Sequence, residues 1–213
     1  MTFLKTPFTI NKKQTFLCAL LSVVSILGCA SNENLNEWNL EKEESGITTY
    51  SRDVSGHKIN EVRGETKIKA TVNQLVDLFM NQDNCALFSE NCHSAKILNR
   101  KSDNEFDLYK MIKNPAPFSD RNVLLNIKVD NSNDTGAVLI SYKDIKGDVA
   151  QDDCCLRIKS DKGFWEFTPM SDGYTHITYQ FHTDPGGSLP ALLLNGVMPS
   201  LPINLIKKVI KAL

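Results

Sequence analysis

Lys162-Gly163-Phe164-Trp165-Glu166-Phe167-Thr168-Pro169 and Tyr179-Gln180-Phe181-His182-Thr183-Asp184-Pro185-Gly186-Gly187-Ser188-Leu189-Pro190-Ala191-Leu192-Leu193-Leu194-Asn195 decide how this chain folds. In the first run Trp165 and Phe167 alternate with polar positions, and Ile177, Tyr179 and Phe181 do the same in the second. That is the period of strands with one dry face. Asp184-Pro185-Gly186-Gly187 reads as a turn, because proline fixes φ and glycine reaches positive φ. Ser188 can then cap an apolar helix beginning near Leu189 and carrying Leu192, Leu193, Val197 and Met198. Pro199 and Pro202 interrupt it, and Leu205, Ile206, Val209 and Ile210 resume an apolar face opposite Lys207, Lys208 and Lys211.

Upstream the pattern is also mostly strand. Val123, Leu125, Ile127 and Val129 alternate cleanly with Asn122, Asn126, Lys128 and Asp130. Segments 47–54, 59–68, 97–98, 106–112, 137–143 and 154–159 are further strands, separated by polar turns such as Asn131-Ser132-Asn133-Asp134. Thr71 caps a helix with Leu75, Val76, Leu78 and Phe79 on one side, residues 81–91 form a shorter helical or looped piece, and Trp38 to Glu44 reads as a short amphipathic helix stopped by Ser45-Gly46. Many antiparallel strands with one apolar side make a curved sheet that needs a cover, which the C-terminal helix supplies. The fold class is α+β.

Together with Pro117-Phe118-Ser119-Asp120-Arg121-Asn122-Val123-Leu124, which opens a strand, the two runs resemble, in this order and spacing, the START (StAR-related lipid transfer) family. The resemblance implies a helix-grip fold, a curved antiparallel sheet wrapped around a long C-terminal helix, enclosing an apolar cavity. It places Val123, Leu125, Ile127, Trp165, Phe167, Ile177, Tyr179 and Phe181 on the cavity wall, with Leu192 and Leu193 on the covering helix. The sequence departs from the family at Asn122, where an acidic residue is usual, and at Leu87-Phe88, where a tryptophan is usual. In Phe106-Asp107-Leu108-Tyr109-Lys110-Met111-Ile112 the family carries one charge of a cavity ion pair, which makes Lys110 a cavity candidate without a nameable partner. The other reading turns Tyr109 and Met111 inward and leaves Lys110 in solvent, since unpaired lysines are seldom buried. Asp120 and Arg121 read as a motif fixing how the strand begins, with Arg121 in a rim salt bridge.

The first 28 residues have the form of a lipoprotein signal: basic Lys5, Lys12 and Lys13, an apolar run from Phe16 to Ile26, and Leu27-Gly28-Cys29. Cys29 is the expected lipidation site, residues 29–36 a tether, and residues 37–213 one lipid-binding domain. Ala30 after the cysteine favours the outer membrane in the pattern this signal resembles, facing the periplasm. Loss of three of the 24 basic residues and none of the 25 acidic ones leaves a net charge of −4, which argues against nucleic acid as a partner. In an oxidising compartment Cys85, Cys92, Cys154 and Cys155 are disulfide candidates, paired either as a local Cys85–Cys92 loop or as two bridges crossing to Cys154-Cys155. A metal is not expected: His93 stands beside Cys92, but there is no C-x-x-C pair.

No nucleophile elbow, phosphate loop or dinucleotide fingerprint is present, so neither cofactor nor catalytic residue is assigned. His176 and His182 read as solvated, on the polar face of their strand with Thr178 and Gln180. The expectation is therefore a non-enzymatic carrier that holds one lipid or apolar molecule and transfers or presents it between membranes. The alternatives are a polyketide cyclase or aromatase-type enzyme on the same scaffold, and an envelope assembly module with a filled core.

Overall fold

The structure, a computed structural model, describes residues 37–147 and 155–213. The lipidation site Cys29, the signal, the tether and Cys154 lie outside the described residues. Ten strands form one sheet: β1 (Asn39–Glu44), β2 (Ile47–Arg52), β3 (Glu61–Ile68), β4 (Cys92–Ser102), β5 (Glu105–Ile112), β6 (Asp120–Asp130), β7 (Val138–Asp144), β8 (Cys155–Arg157), β9 (Ser160–Pro169) and β10 (Thr175–Asp184). The spatial order is β1-β2-β3-β10-β9-β7-β6-β5-β4, with antiparallel neighbours throughout; only β8 departs, pairing parallel with the start of β6. Four helices accompany it: α1 (Val72–Met80), α2 (Cys85–Phe88), α3 (Ala191–Val197) and α4 (Leu201–Ala212). This is the helix-grip arrangement. Among the described residues no helix is long and apolar enough to cross a membrane.

Strand β6 keeps its expected dry face, with Val123, Leu125 and Ile127 buried, but its first half is buried on both sides: Asn122, expected on the wet face, is fully buried and Leu124 nearly so, beside the parallel strand β8. Helix α1 starts where Thr71 caps it: Gln74 N–H donates to the Thr71 hydroxyl and Thr71 N–H to the Gln74 side chain, at 3.3 and 2.9 Å, a reciprocal box that satisfies two otherwise orphaned donors. Its Val72 and Leu75 are buried at one end of the sheet.

The amphipathic helix expected over Trp38 to Glu44 is instead strand β1, and the dipeptide that reads as its stop explains why. Ser45 and Gly46 both adopt positive φ, 56° and 74°, and Glu44 pairs with Ile47. They are the two central residues of a tight hairpin, whose twist matches that of the flanking strands.

The C-terminal helix is two helices. No side chain caps α3, which begins after Pro190 rather than at Leu189. A 3₁₀ turn over Met198–Ser200 separates it from α4, since proline at 199 and 202 removes two donors. Helix α4 buries Pro202, Ile203, Leu205, Ile206 and Val209. It approaches the sheet at Gly64 of β3, where a Cβ would stand only 2.3 Å from Pro202 Cβ. Its consecutive lysines reach opposite sides: Lys207 pairs with Glu44 of β1, and Lys208 with Glu90 beside β4 at 3.0 Å.

Cys85 and Cys92 form a disulfide, with Cα atoms 5.8 Å apart, which ties α2 to the start of β4 and excludes the crossing pattern. Cys155 is disulfide-bonded as well. A bridge closing a loop this short removes about 2–3 kcal/mol of unfolded-state entropy. Cys85→Ser with Cys92→Ser should therefore lower unfolding stability by about that amount in urea titration; an unchanged midpoint would show the bridge to be without stabilising effect.

Candidate ligand cavity

Between the sheet and α4 lies a cavity of about 180 Å³. Its floor comes from positions of six strands: Ala95 of β4, Phe106, Leu108, Lys110 and Ile112 of β5, Leu125 and Ile127 of β6, Tyr142 of β7, Asp161 and Trp165 of β9, and Tyr179, Phe181 and Thr183 of β10. Its cover is Phe79 and Met80 of α1, Cys85 and Phe88 of α2, and Met198, Leu201 and Leu205 around the 3₁₀ turn and α4. Asn81 and Gln82 also line it and are exposed, so that end meets solvent.

Strand register builds the aromatic wall. Trp165 and Tyr179 are directly opposed, and their rings stack at 4.0 Å. Phe181 stacks on Tyr179 at 5.0 Å, and Phe88 meets the Trp165 ring edge-on at 5.3 Å. Gly163, opposite Phe181, makes room: a Cβ there would stand 2.3 Å from the Gln180 carbonyl and 2.6 Å from the Tyr142 hydroxyl. The Tyr142 and Tyr179 hydroxyls thus come within 3.5 Å of each other.

One part of this wall is charged. Lys110 and Asp161 are both buried, with Nζ 3.7 Å from Oδ2, and the Thr183 hydroxyl donates to Asp161 Oδ1 at 2.7 Å. Burial pushes the Asp161 carboxyl upward, while the Lys110 charge and the Thr183 hydroxyl pull it down. Burial also raises both tyrosines, Tyr142 well above the usual phenol range, with the charge of Asp161 adding to it. Both phenols therefore stay protonated and able to donate at neutral pH. The site can enclose an apolar body and meet one polar group. Among the described residues no cluster of histidine, cysteine and acidic side chains could hold a metal.

No protein-family model matches the chain. A structure of a STAR-related lipid transfer protein from Xanthomonas axonopodis superposes with a TM-score of 0.74 at 27% identity, covering 82% of this chain and 97% of that one. The chain has the START-type helix-grip fold. The human StAR-related lipid transfer protein 5 has the same fold at 18% identity and a TM-score of 0.75, over 82% of this chain and 85% of its own. In sequence the chain is also 29% identical to an uncharacterised protein of Pseudomonas aeruginosa, across 86% of this chain and 90% of that protein.

Of the residues that the sequence places on the cavity wall of this START-type fold, Lys110, Leu125, Ile127, Trp165, Tyr179 and Phe181 line it. Lys110 is not solvated; its partner is Asp161, which sequence reasoning missed. Phe167 and Ile177 are fully buried two residues further along their strands, toward the end that α1 fills, and Val123 is buried in the core opposite Lys110 without lining the cavity. Leu192 and Leu193 are a correction: they are 83% and 62% exposed. No residue of α3 lines the cavity, so the covering falls to Met198, Leu201 and Leu205.

Arg121 is also corrected from a rim salt bridge. It is buried, its Nε–H donates to the Pro185 carbonyl at 3.0 Å, and Nη1 donates to the Ser119 carbonyl. Asp120 accepts from Asn114 N–H and Asp184 from Gly186 N–H, each at 3.0 Å. Gly187 lies against the guanidinium, where a Cβ would come within 3.3 Å of Nη2, and its positive φ suits glycine. The motif therefore staples the β5–β6 loop to the loop leading into α3. His182 is buried rather than solvated, because the β2–β3 loop folds over the outer face of β10 there, and Thr178 on the same face is buried as well.

Proposed function

We propose that this START-type domain binds one lipid or other apolar small molecule in its cavity and transfers or presents it between membranes. The observation that carries the reading is the enclosed apolar wall with a single charged and hydroxylated patch, Lys110, Asp161, Tyr142 and Tyr179. A filled-core assembly module fits poorly. Between the sheet and α4 the domain keeps a largely apolar cavity that reaches solvent at Asn81 and Gln82. The volume is below the roughly 300–1,000 Å³ of small-molecule sites. A two-chain lipid therefore needs the cover of Met198, Leu201 and Leu205 to move, while a short single chain does not. The carrier is useful because drawing a chain of about sixteen carbons into water costs on the order of 13 kcal/mol.

Exposed Leu192, Leu193 and Val197 on α3, with Phe118 on the stapled β5–β6 loop, form the face that would meet a membrane during exchange. Cys29 would supply the permanent anchor to the outer membrane, since two or more acyl chains hold a protein stably. A Cys29→Ser chain is expected to lose fatty-acid labelling and to leave the membrane fraction on alkaline washing; retention would sink the anchor.

Native mass spectrometry of the purified domain, and lipid exchange between vesicles, test the central reading. Leu108→Trp should fill the cavity, raise the unfolding midpoint of the empty protein and abolish copurified ligand and exchange. A domain that carries no ligand and accelerates no exchange would overturn it. The polar patch also gives a cyclase-type enzyme the acid–base groups it needs, so turnover of a reactive polyketide analogue that is lost in Tyr142→Phe would favour that second reading.

A further inference from the structure

We propose that His182, with His57 against it, is a pH-sensitive latch that at neutral pH holds α3, and through it the Met198 and Leu201 cover of the cavity, in place and releases it in acid. The imidazole is 1% exposed, and its Nε2 lies 3.1 Å from the Ile59 carbonyl. A carbonyl only accepts, so Nε2 carries the proton and Nδ1 is a bare acceptor; Nδ1 is buried and has no hydrogen-bond partner among the described residues. A second proton would have to enter at Nδ1, where nothing receives it.

The carbonyl that His182 holds belongs to the β2–β3 loop, and the same loop holds α3. Asn195, near the end of α3, accepts from Asn60 N–H at 3.0 Å, donates to the Lys58 carbonyl at 3.0 Å and approaches the Asn60 side chain at 3.3 Å. No residue of α3 is buried. Ala191 and Leu194 pack partly against the core, and Asn195 supplies the hydrogen bonds that tie the helix to the loop, which places α3 toward the low-stability end of the fold. Directly after α3 come Met198 and Leu201, both on the cavity wall. The chain of contacts runs from His182 through Ile59 and Asn60 to Asn195, α3 and the cavity cover.

The charges around His182 decide the sign. From the loop, the His57 ring meets it edge-on at 4.6 Å. From β9, Lys162 stands opposite in register; from β3 comes Glu61, and on β10 itself Asp184. Glu61 is already engaged by Arg52 and Gln180, and Asp184 by Lys159 and Gly186. Burial and His57 hold the imidazole below its ordinary value near 6.5. The latched state therefore prefers neutral His182, and an opened state takes up the proton first. The latch is fully closed above the ordinary histidine value and weakens as the pH falls below it.

The inference rests on the cavity reading for its use, but hydrogen exchange on the ligand-free protein tests it separately. At pH 5.5 against pH 7.5, corrected for intrinsic exchange rates, the amides of α3 should lose protection several-fold while those of α1 do not. In His182→Gln the side-chain amide can still donate to the Ile59 carbonyl but cannot gain a proton, so α3 protection should be the same at both pH values. Wild-type α3 protection that ignores pH, or a drop that persists in His182→Gln, overturns the latch. If His182→Gln fails to fold, the wild-type imidazole titration decides: its midpoint must coincide with the loosening of α3, and separated midpoints overturn the proposal. A domain that proves to bind no lipid leaves this result intact and removes only its functional use.

Discussion

Asp161→Ala should destabilise the domain by about 3–5 kcal/mol, because it strands the buried ammonium of Lys110 in a cavity lined largely by carbon. The double variant Lys110→Met, Asp161→Leu should recover most of that loss or exceed wild type, since a well-packed apolar pair avoids the desolvation cost of both charges. Urea unfolding of the three proteins measures the difference. Equal stability of Asp161→Ala and wild type would show that water or another group already serves Lys110. Recovery in the double variant would show that the pair is not kept for stability, and its lost preference between polar-headed ligands would assign the pair to recognition.

Gly64→Ala is expected to cost about 3 kcal/mol, at the upper end of overpacking substitutions. The new methyl would lie 2.3 Å from Cβ of Pro202, whose ring cannot rotate away. The whole of α4 must then shift, and with it the burial of Ile203, Leu205, Ile206 and Val209. For a domain of this size that loss lowers Tm by about 6–12 °C. Calorimetry showing a shift of less than a degree would mean that α4 slides freely over β3. Lipid exchange is expected to change along with stability, because Leu201 and Leu205 on the same helix border the cavity.

Much of this was legible in the sequence where one rule acted alone. Strand β6 has a period-two pattern and no competing signal, and Thr71 with Gln74 marks the start of α1 outright. The failures occurred where two rules share residues. Ser45-Gly46 stops a helix or turns a hairpin, and only pairing of Glu44 with Ile47 distinguishes them. Asp161 was readable in principle: it lies on the same alternate positions as Gly163, Trp165 and Phe167, so carrying that face back to the start of β9 puts an acid in the cavity. The run that reads as this strand begins at Lys162, one residue after Asp161. The burial of His182 was not readable, because it depends on a loop from another part of the chain folding over the strand. The prolines after α3 were visible, but the exposure of Leu192 and Leu193 is a tertiary matter.

The two lysines of α4 that reach Glu44 and Glu90 join the flanks of a sheet whose first and last strands in space are β1 and β4. Every one of those strands precedes α4 in the chain. A chain emerging from its N-terminal side therefore completes the strands before the helix that spans them exists, and for that interval the concave side of the sheet is a trough open along its length. A guest that could not pass between closed elements can be wrapped at that moment, with α4 folding over it rather than parting to admit it. How the protein is produced then becomes a variable of its contents: refolding with a candidate molecule present can load what incubation of the finished domain cannot.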